Sequence, residues 1–543
     1  MSVRFNRSSR QLPQIRRDEA QPVLDRGLSV QRGSLFVARN IVLAFWTSVI
    51  LHLLVLLGGR SDLRNWDFGY WFVAFAVVDV IMIGLVLTPI VAVVRRKLAW
   101  NDPIAIFSIS FLGMVGTFFD ALVIDPTYTA YRMSFYGRLP QFYANSEYLV
   151  KTALQAELLF SLFLLIVLYI NRHPIALRDF VPSKAEINAA SISFGFWFTL
   201  GVVGWLTLWS GRSYFDSITV TIGSNATKIF ESGEARNAIL STIGLIGLSI
   251  GVAGGTGFVT RSSRSLRTLP LLGAIGVSIA ADLPSGSRIG IVIGVLLLLY
   301  LASLFRYHIR SIVWVSGVLI GVVLIAAVTF LRGNSSIAGT ASEVVKQLVT
   351  NEAGLLYAAN LDSPASVLFS ADRISAFSIV LDRLASGESY LHGTSLIAGG
   401  IDWLSIVLDR VGMGQILTSI DRSWANQQIL IWIYGTIVPG GTLPPSVPGE
   451  FYMQGGPIIF IPLSLAFGWI FLRLRTILAR SDRLIVRWGL GVFLFRLAML
   501  VPTEVSPLFE VIIYLLPVAS VYLVAHYLLQ RSRRRTRWLE RSQ

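Results

Sequence analysis

The chain has 543 residues, of which 54% are hydrophobic and only 14% are charged, and its formal net charge is +15. A soluble domain carries about a quarter charged residues, so this composition excludes a soluble globular enzyme, and it excludes disorder except at the two ends. The chain has no cysteine and five histidines. Disulfides, thiolate metal sites and iron–sulfur clusters are therefore excluded, and an imidazole-rich metal site is not expected.

Long apolar runs predict membrane-spanning helices, because roughly 20 mainly apolar residues cross the hydrocarbon core. In chain order the sequence contains twelve such runs: 41–58, 69–94, 104–124, 153–170, 192–210, 238–258, 269–283, 289–305, 311–331, 457–472, 488–503 and 511–529. The runs 269–283 and 488–503 are short. Only the turn 284–287 separates 269–283 from the next run, so one kinked helix is an alternative there.

The basic residues predict the orientation of these spans. With a cytoplasmic N-terminus, 30 of the 46 Lys and Arg residues fall in inner segments, and 15 fall in the much longer outer ones. This distribution follows the positive-inside rule. We therefore predict that both termini are cytoplasmic and that the basic tails, 1–40 and 530–543, meet anionic membrane lipids. Because the Arg residues lie on alternate loops, nucleic acid is not an expected partner.

The connection 332–456 is by far the longest. Residues 364–385 place apolar side chains at helical spacing, and residues 401–410 show a shorter amphipathic pattern. We interpret this loop as a small helical layer on the outer face, partly in the membrane interface, and loops of this size usually carry function. The predicted organisation is a basic tail, nine spans, the large loop, three spans and a second basic tail: 1–40, 41–331, 332–456, 457–529 and 530–543.

Five ionisable residues lie inside predicted spans, where charge is costly and functional roles are the default hypothesis: His52, Asp79, Asp120, Glu157 and Arg496. For Asp79 the alternative is a hydrogen-bonded carboxyl that holds two helices together, and for His52 it is a packed polar residue. Arg496 cannot lose its charge and needs an anion. That anion is either a carboxylate of the chain, with Glu504 as the nearest candidate in sequence, or a phosphate of a ligand.

The outer loops repeatedly combine Arg with aromatic and acidic residues, as in 131–132, 212–216, 372–373, 382–383 and 421–424. Guanidinium groups bind phosphate oxygens in pairs, and aromatic faces suit sugar rings. Each pair alone is also consistent with a solvated ion pair. Together they predict a surface for a phosphorylated, hydroxyl-rich ligand. The sequence contains no P-loop, HExxH or GxSxG motif and no DxD on an outer loop. We expect chemistry without a metal and without a cofactor.

The most specific stretch is 441–456, Gly-Thr-Leu-Pro-Pro-Ser-Val-Pro-Gly-Glu-Phe-Tyr-Met-Gln-Gly-Gly, which directly precedes a span. Its prolines and glycines predict a rigid turn that delivers one carboxylate and one tyrosine to the membrane surface. Together with 389–396 (Ser-Tyr-Leu-His-Gly-Thr-Ser-Leu) and the Ser-Gly-Ser-Arg turn ending at Arg288, it resembles the bacterial oligosaccharide repeat-unit polymerases, the O-antigen (Wzy-type) polymerase family. The motifs cover only about 285–290 and 373–456, although the span pattern extends the resemblance over the whole chain.

The resemblance implies a bacterial inner-membrane enzyme that joins undecaprenyl-pyrophosphate-linked oligosaccharide units on the periplasmic side. It also implies a possible chain-length regulator as a partner. The predicted fold class is an all-α polytopic integral membrane protein with about twelve transmembrane helices and a large helical external loop. The resemblance relates this plan to the metal-independent membrane glycosyltransferases of the GT-C-like type.

The chemistry implied by the resemblance assigns roles to particular residues. A pyrophosphate leaving group needs fixed cations, and the attacking sugar hydroxyl needs an acid–base group. Glu450 is the first choice for the acid–base group and His392 the second, while Tyr452 and Trp424 are expected to stack on sugars. The expected pyrophosphate-binding residues, in order of preference, are Arg288, Arg373, Arg496, Arg383 and Arg422.

Two other functions stay open at this point. An O-antigen ligase-like glycan transferase shares the span plan, the large loop and the donor, and only its acceptor differs. A transporter or flippase of lipid-linked oligosaccharide is the second alternative. Short loops and matching halves are typical of such transporters, whereas this sequence has a long loop and no visible internal repeat.

Overall fold

The structure is a computed structural model that describes residues 34–58, 69–115, 118–134, 138–175, 177, 178, 180, 182–209, 247–252, 275, 288–305, 373–398, 400, 401, 404, 424–436, 443–501, 505 and 507–542. Helix accounts for 83% of the described part, which contains no strand. The main helices, numbered in chain order, are α1 (Ala38–Gly58), α2 (Gly69–Val94), α3 (Pro103–Val115), α4 (Phe118–Ile124), α5 (Pro126–Met133), α6 (Pro140–Ala144), α7 (Ser146–Ile170), α8 (Lys184–Trp209), α9 (Arg288–Leu304), α10 (Ile374–Ala385), α11 (Ala425–Tyr434), α12 (Ser446–Met453), α13 (Gly456–Arg480), α14 (Leu484–Leu500) and α15 (Pro507–Ser542).

Four of these helices are long and apolar enough to cross a membrane: Ala38–Leu57, Tyr70–Val94, Ser146–Ile170 and Gly456–Arg480. They coincide with the predicted first, second, fourth and tenth spans, so an α-helical membrane protein is confirmed. The total of twelve spans and the cytoplasmic position of both termini stay predictions. The predicted span 311–331 lies outside the described residues, and of 238–258 and 269–283 only 247–252 and 275 are described.

Several helix ends follow directly from local chemistry. Asp125 caps α5 by accepting a hydrogen bond from the Tyr128 backbone N–H, and Asn145 caps α7 by accepting one from that of Tyr148. Proline occupies the first turn of α5, α6 and α13, where its missing N–H has no intrahelical partner to lose. Gly435 ends α11 with a φ of 74°, the left-handed conformation that glycine adopts without strain.

The centre of the bundle is an aromatic core around α7. Phe107 of α3 packs against Phe471 of α13 with ring centroids 5.9 Å apart, and Phe163 of α7 packs against Phe467 of α13 at 5.4 Å. Phe451 of α12 joins them, 6.3 Å from Phe163. Around this core, α2 lies between α1 and α7, α14 contacts α3, α9 and α15, and α15 contacts α8. These large side chains bury apolar area and bring α3, α7, α12 and α13 into contact.

The two ends of the bundle differ in their contacts. We call the end at which α2 and α7 begin the loop end, since α5 and α6 lie there, and the opposite end the tail end. At the tail end Arg475 of α13 donates a hydrogen bond to Asp102 at 2.7 Å and another to Asn171 Oδ1 at 3.1 Å. The backbone N–H of Leu35 donates to the Arg172 carbonyl there at 2.6 Å. These contacts join α1, α3, α7 and α13.

Candidate functional site

The described part of the large loop is folded between the spans. Every residue of α10 from Ile374 to Asp382 is buried. The Phe377 ring packs against Phe160 at 5.4 Å, and Phe160 lies about 21 Å along α7 from Ser146. The predicted helix is thus confirmed over 374–385. Its predicted position on the outer face of the membrane stays a prediction. An amphipathic pattern identifies an apolar side without identifying what covers it, and here other helices cover all sides.

The segment 441–456, predicted as a rigid turn, forms the short helix α12 over its central part. Pro448 is tolerated because it lies in the first turn, where backbone N–H groups have no intrahelical acceptor. The Val447 backbone N–H instead donates to the Val501 carbonyl, just past α14, at 2.8 Å. A turn follows at Gly456, whose φ is 62° and at which a Cβ would lie 2.8 Å from the Tyr390 hydroxyl oxygen. Glycine is therefore required at this position.

Glu450 lies inside this arrangement with no exposed surface. The Ser395 hydroxyl donates to Glu450 Oε1 at 2.8 Å, and the Val505 backbone N–H donates to Oε2 at 2.6 Å. Burial raises the pKa of Glu450 to about 7, because removing the charged form from water outweighs the two hydrogen bonds that favour it. The carboxyl group thus ties together α12, the 391–398 segment and the chain that follows α14.

Gln454 extends this network to His392. The Gly393 backbone N–H donates to Gln454 Oε1 at 2.6 Å, and Gln454 Nε2 donates to the Glu450 carbonyl at 3.0 Å and to Ser395 Oγ at 2.8 Å. The Gly393 N–H can only donate and the Glu450 carbonyl can only accept, so these two groups determine which side of the Gln454 amide is oxygen and which is nitrogen. The Ser395 hydroxyl therefore accepts from Gln454 and donates to Glu450.

His392 is exposed beside this network. Its φ is 48°, a left-handed conformation that is strained for a non-glycine residue. Of the three non-glycine residues with positive φ in the described ranges, His392 and Ser446 both lie here. Backbone strain of about 1–3 kcal/mol per residue persists where surrounding contacts enforce it, and such positions cluster at functional sites.

Tyrosine rings line the same region. The Tyr452 ring packs against Phe377 at 5.8 Å, and its pKa is raised by burial and by the neighbouring Tyr390. The Tyr390 ring lies 6.4 Å from the His392 ring. We call the region formed by α10, residues 386–398 and residues 443–456 the loop site. It brings together Glu450, His392 and Tyr452 from the sequence-predicted set.

Three of the five predicted arginines have described side chains: Arg373, Arg383 and Arg496. Arg373 and Arg383 are partly buried at opposite ends of α10, about 15 Å apart along its axis. Arg496 is partly buried on α14, five residues before the Val501 carbonyl that accepts from α12. Arg288 is the first residue of α9, and its side chain lies outside the described part. Arg422 also lies outside it.

Trp424 directly precedes α11 and lies about 30 residues along the chain from both Tyr390 and Tyr452. This helix packs against α10, and at its other end the Arg138 guanidinium lies 4.6 Å from the centre of the Tyr434 ring. Trp424 is partly buried. The proposed sugar-stacking roles of Trp424 and Tyr452 therefore belong to different helices around α10.

Sequence reasoning missed the side chains that hold α10 and the Glu450 network in place. The Tyr148 hydroxyl donates to Asp382 Oδ1 at 2.5 Å, and Gln141 Nε2 donates to Asp382 Oδ2 at 2.9 Å. The hydrogen bonds of Ser395 and Gln454 with Glu450 were not predicted either. The only sequence signal was the position of Gln454 four residues after Glu450, one turn along a helix. The described residues contain no group of three or more potential metal ligands from His, Asp and Glu.

Comparisons with known proteins do not extend these observations: no family model, curated protein or solved structure matches this chain. The class that the fold defines is an α-helical membrane protein with a loop folded into its helical bundle. The function therefore has to be argued from the loop site.

Proposed function

We propose that this protein polymerises undecaprenyl-pyrophosphate-linked oligosaccharide units in the inner membrane of a bacterium. In this reaction, the hydroxyl at the non-reducing end of the next lipid-linked unit attacks the anomeric carbon of the growing glycan. The bond from that carbon to the pyrophosphate oxygen breaks, and the pyrophosphate leaves with the bonding electrons. The hydroxyl proton passes to an acid–base side chain and then to water or the leaving group.

The observation that supports this proposal is the convergence of 373–398 and 443–456, the two stretches that carry most of the resemblance, in one site between the spans. An exposed imidazole lies there beside the Tyr390 ring, and the same region contains the half-buried Tyr452 and two strained backbone positions. Such a site offers one acid–base group and flat apolar faces for sugars. Lipid-linked glycan is a substrate that has to be bound from within the membrane and from the aqueous face together.

His392 is the better candidate for the acid–base role. It is exposed, whereas Glu450 has no exposed surface and both of its oxygens accept hydrogen bonds from the chain. In the proposal, Glu450 acts as a positioning residue: through Ser395 and Gln454 it holds the backbone on which His392 is presented. The catalytic role first expected for Glu450 stays a prediction.

The arginines complete the proposal as cations for the pyrophosphate. Arg373 precedes the first turn of α10, whose Phe377 packs on Tyr452. Arg496 lies on α14, five residues before the carbonyl that accepts a hydrogen bond from α12. We assign these two residues and Arg288 to the leaving group. Arg383, at the far end of α10, and Arg422 are assigned to other phosphate or sugar oxygens. Removing one such charged contact lowers the rate by about 10²–10³.

The first test is deletion of the gene in the source bacterium, with surface and secreted polysaccharide separated on a gel beside a complemented strain. The proposal predicts single or short repeat units in the deletion and long polymer on complementation. Polymerised glycan that stays on its lipid carrier identifies a ligase instead. Unpolymerised units on the cytoplasmic leaflet identify a transporter, and unchanged polymer refutes all three functions.

A second test separates chemistry from folding at His392. His392→Gly relieves about 1 kcal/mol of strain in the left-handed backbone. The unfolding free energy of the variant is therefore expected to be no lower than that of the parent. If His392 is the acid–base group, long polymer is nevertheless lost. His392→Asn, which tolerates the same backbone, is the matched control for conformation. Long polymer made by both variants at normal protein level would refute the assignment.

A further inference from the structure

A buried pair of titratable side chains joins α1 and α2, far from the loop site in sequence. His52 Nε2 lies 2.5 Å from Asp79 Oδ2, and the two side chains are only 8% and 1% exposed. His52 Nδ1 lies 2.8 Å from the Ser48 carbonyl oxygen. A carbonyl oxygen only accepts, so Nδ1 carries a hydrogen. The contact between Nε2 and the carboxyl group therefore requires a second hydrogen, and the pair holds one shared proton.

A second carboxyl group lies beside this pair. Asp120 lies on α4, which packs against α1, the helix that carries His52. It is partly exposed, and its neighbour Phe119 packs on the His52 ring with centroids 5.2 Å apart. The three residues come from three helices and lie in the half of the bundle nearer the loop end. Asp120 is the partly exposed member of the three.

The buried pair is incomplete as a purely structural contact. Asp79 Oδ1 is buried and has no hydrogen-bond partner within the described ranges. A carboxyl group that only held two helices together would be expected to have both oxygens satisfied, because an unsatisfied buried oxygen costs about 1–3 kcal/mol. Glu450 and Asp382, which do hold segments together, each accept hydrogen bonds on both oxygens. The free oxygen of Asp79 is a place for a proton.

The other ionisable groups on the helices packed around this pair lie mainly on α7, since α3 carries none. Glu147 accepts a hydrogen bond from the Trp71 indole at 2.8 Å, and the Lys151 ammonium lies 5.4 Å from the centre of a Trp71 ring. Both are therefore engaged near the loop end. Glu157 is buried further along α7. Asp120 is the acidic group that directly follows Phe119, the residue packed on the His52 ring.

We propose that His52, Asp79 and Asp120 form a proton-binding site inside the membrane domain. The site holds one proton between His52 and Asp79, and it takes up a second from the loop end on the carboxyl groups of Asp79 and Asp120. Two carboxylates beside one imidazolium leave one net negative charge among apolar helices, and the second proton cancels it. This inference does not depend on the proposed function.

The test uses the full-length protein in lipid nanodiscs and the proton itself as the probe. Infrared difference spectra over the pH range of the folded protein report the C=O stretch of protonated carboxyl groups. Magnetic resonance of isotope-labelled histidine reports His52, which His52→Gln assigns among the five histidines. We expect a pH-dependent carboxyl band and a His52 signal that change together. The infrared spectra are recorded in a Glu450→Gln background, because burial raises the pKa of Glu450 to about 7 and its carboxyl group would contribute a band of its own. In that background Asp79→Asn removes the carboxyl band of the site, and Asp120→Asn changes the proton affinity seen at His52 at least tenfold.

Glu147→Gln is the matched control, since it removes a carboxyl group at the loop end outside the site, and it leaves both signals unchanged. The Asp120→Asn measurement stands even where the buried substitutions prevent folding, because Asp120 is partly exposed. A His52 signal that is identical in Asp120→Asn and in the parent would overturn the proposal. So would a pH-dependent carboxyl band that Asp79→Asn leaves unchanged, which would leave His52 and Asp79 as a fixed contact between α1 and α2.

Discussion

Replacing Glu450 with glutamine is expected to change how the stability of the protein depends on pH. The folded chain holds the Glu450 proton more tightly than the unfolded chain, because burial raises its pKa to about 7 from 4.5. Stability from this group is thus fully present below pH 4.5 and is lost as the pH rises to about 7. The variant Glu450→Gln resembles the protonated form at every pH and lacks this loss.

The magnitude follows from the pKa difference between the two states. One pKa unit corresponds to about 1.4 kcal/mol, so between the unfolded and folded values the parent loses about 3 kcal/mol of unfolding free energy relative to Glu450→Gln. The two proteins are expected to have similar stability near pH 4.5. Above pH 7 the glutamine variant is expected to be the more stable.

The assay is denaturant unfolding of both purified proteins in one detergent at several pH values. Glu388→Gln is the control, because Glu388 lies on the same loop segment with its side chain exposed. Its curve is expected to run parallel to that of the parent. If the Glu450→Gln curve is also parallel to the parent, the reasoning about burial of Glu450 is refuted.

Two further predictions concern buried polar contacts. Asp102→Ala leaves Arg475, which is 1% exposed, without its carboxylate and is expected to lower the unfolding free energy by about 3–5 kcal/mol, whereas Asp482→Ala removes an exposed ion pair and costs about 0–1 kcal/mol. Equal effects of the two would contradict this account. Tyr148→Phe leaves the buried Asp382 without one donor and is expected to cost about 1.5–3 kcal/mol, measured by the same unfolding assay.

Most of the secondary structure in the described part was predictable from the sequence. Apolar runs of spanning length identified α1, α2, α7 and α13, since a helix in lipid must satisfy its own backbone and expose apolar side chains. The helical spacing of 374–385 identified α10. The same patterns did not predict that other helices bury α10, and they read α12 as a turn. They record which residues are apolar, and they contain no information about which elements cover them.

The candidate site divides in the same way. Sequence motifs selected Glu450, His392 and Tyr452, and the tertiary structure brings all three into the loop site. Their environments were not predictable: the burial of Glu450 depends on Ser395, 55 residues away, and on the backbone of Val505. The sequence does not show whether a carboxyl group is solvated or buried. It therefore could not separate a positioning role for Glu450 from a catalytic one.

The sequence by itself therefore determined the class of protein, because the length and hydrophobicity of a span are properties of one continuous segment. Only the tertiary structure decided the partners of the polar groups within the bundle. His52 and Asp79 are 27 residues apart, and Asp102 and Arg475 are 373 residues apart. Such contacts form because buried polar groups must find hydrogen-bond partners wherever helix packing places them, and helix packing depends on the whole chain.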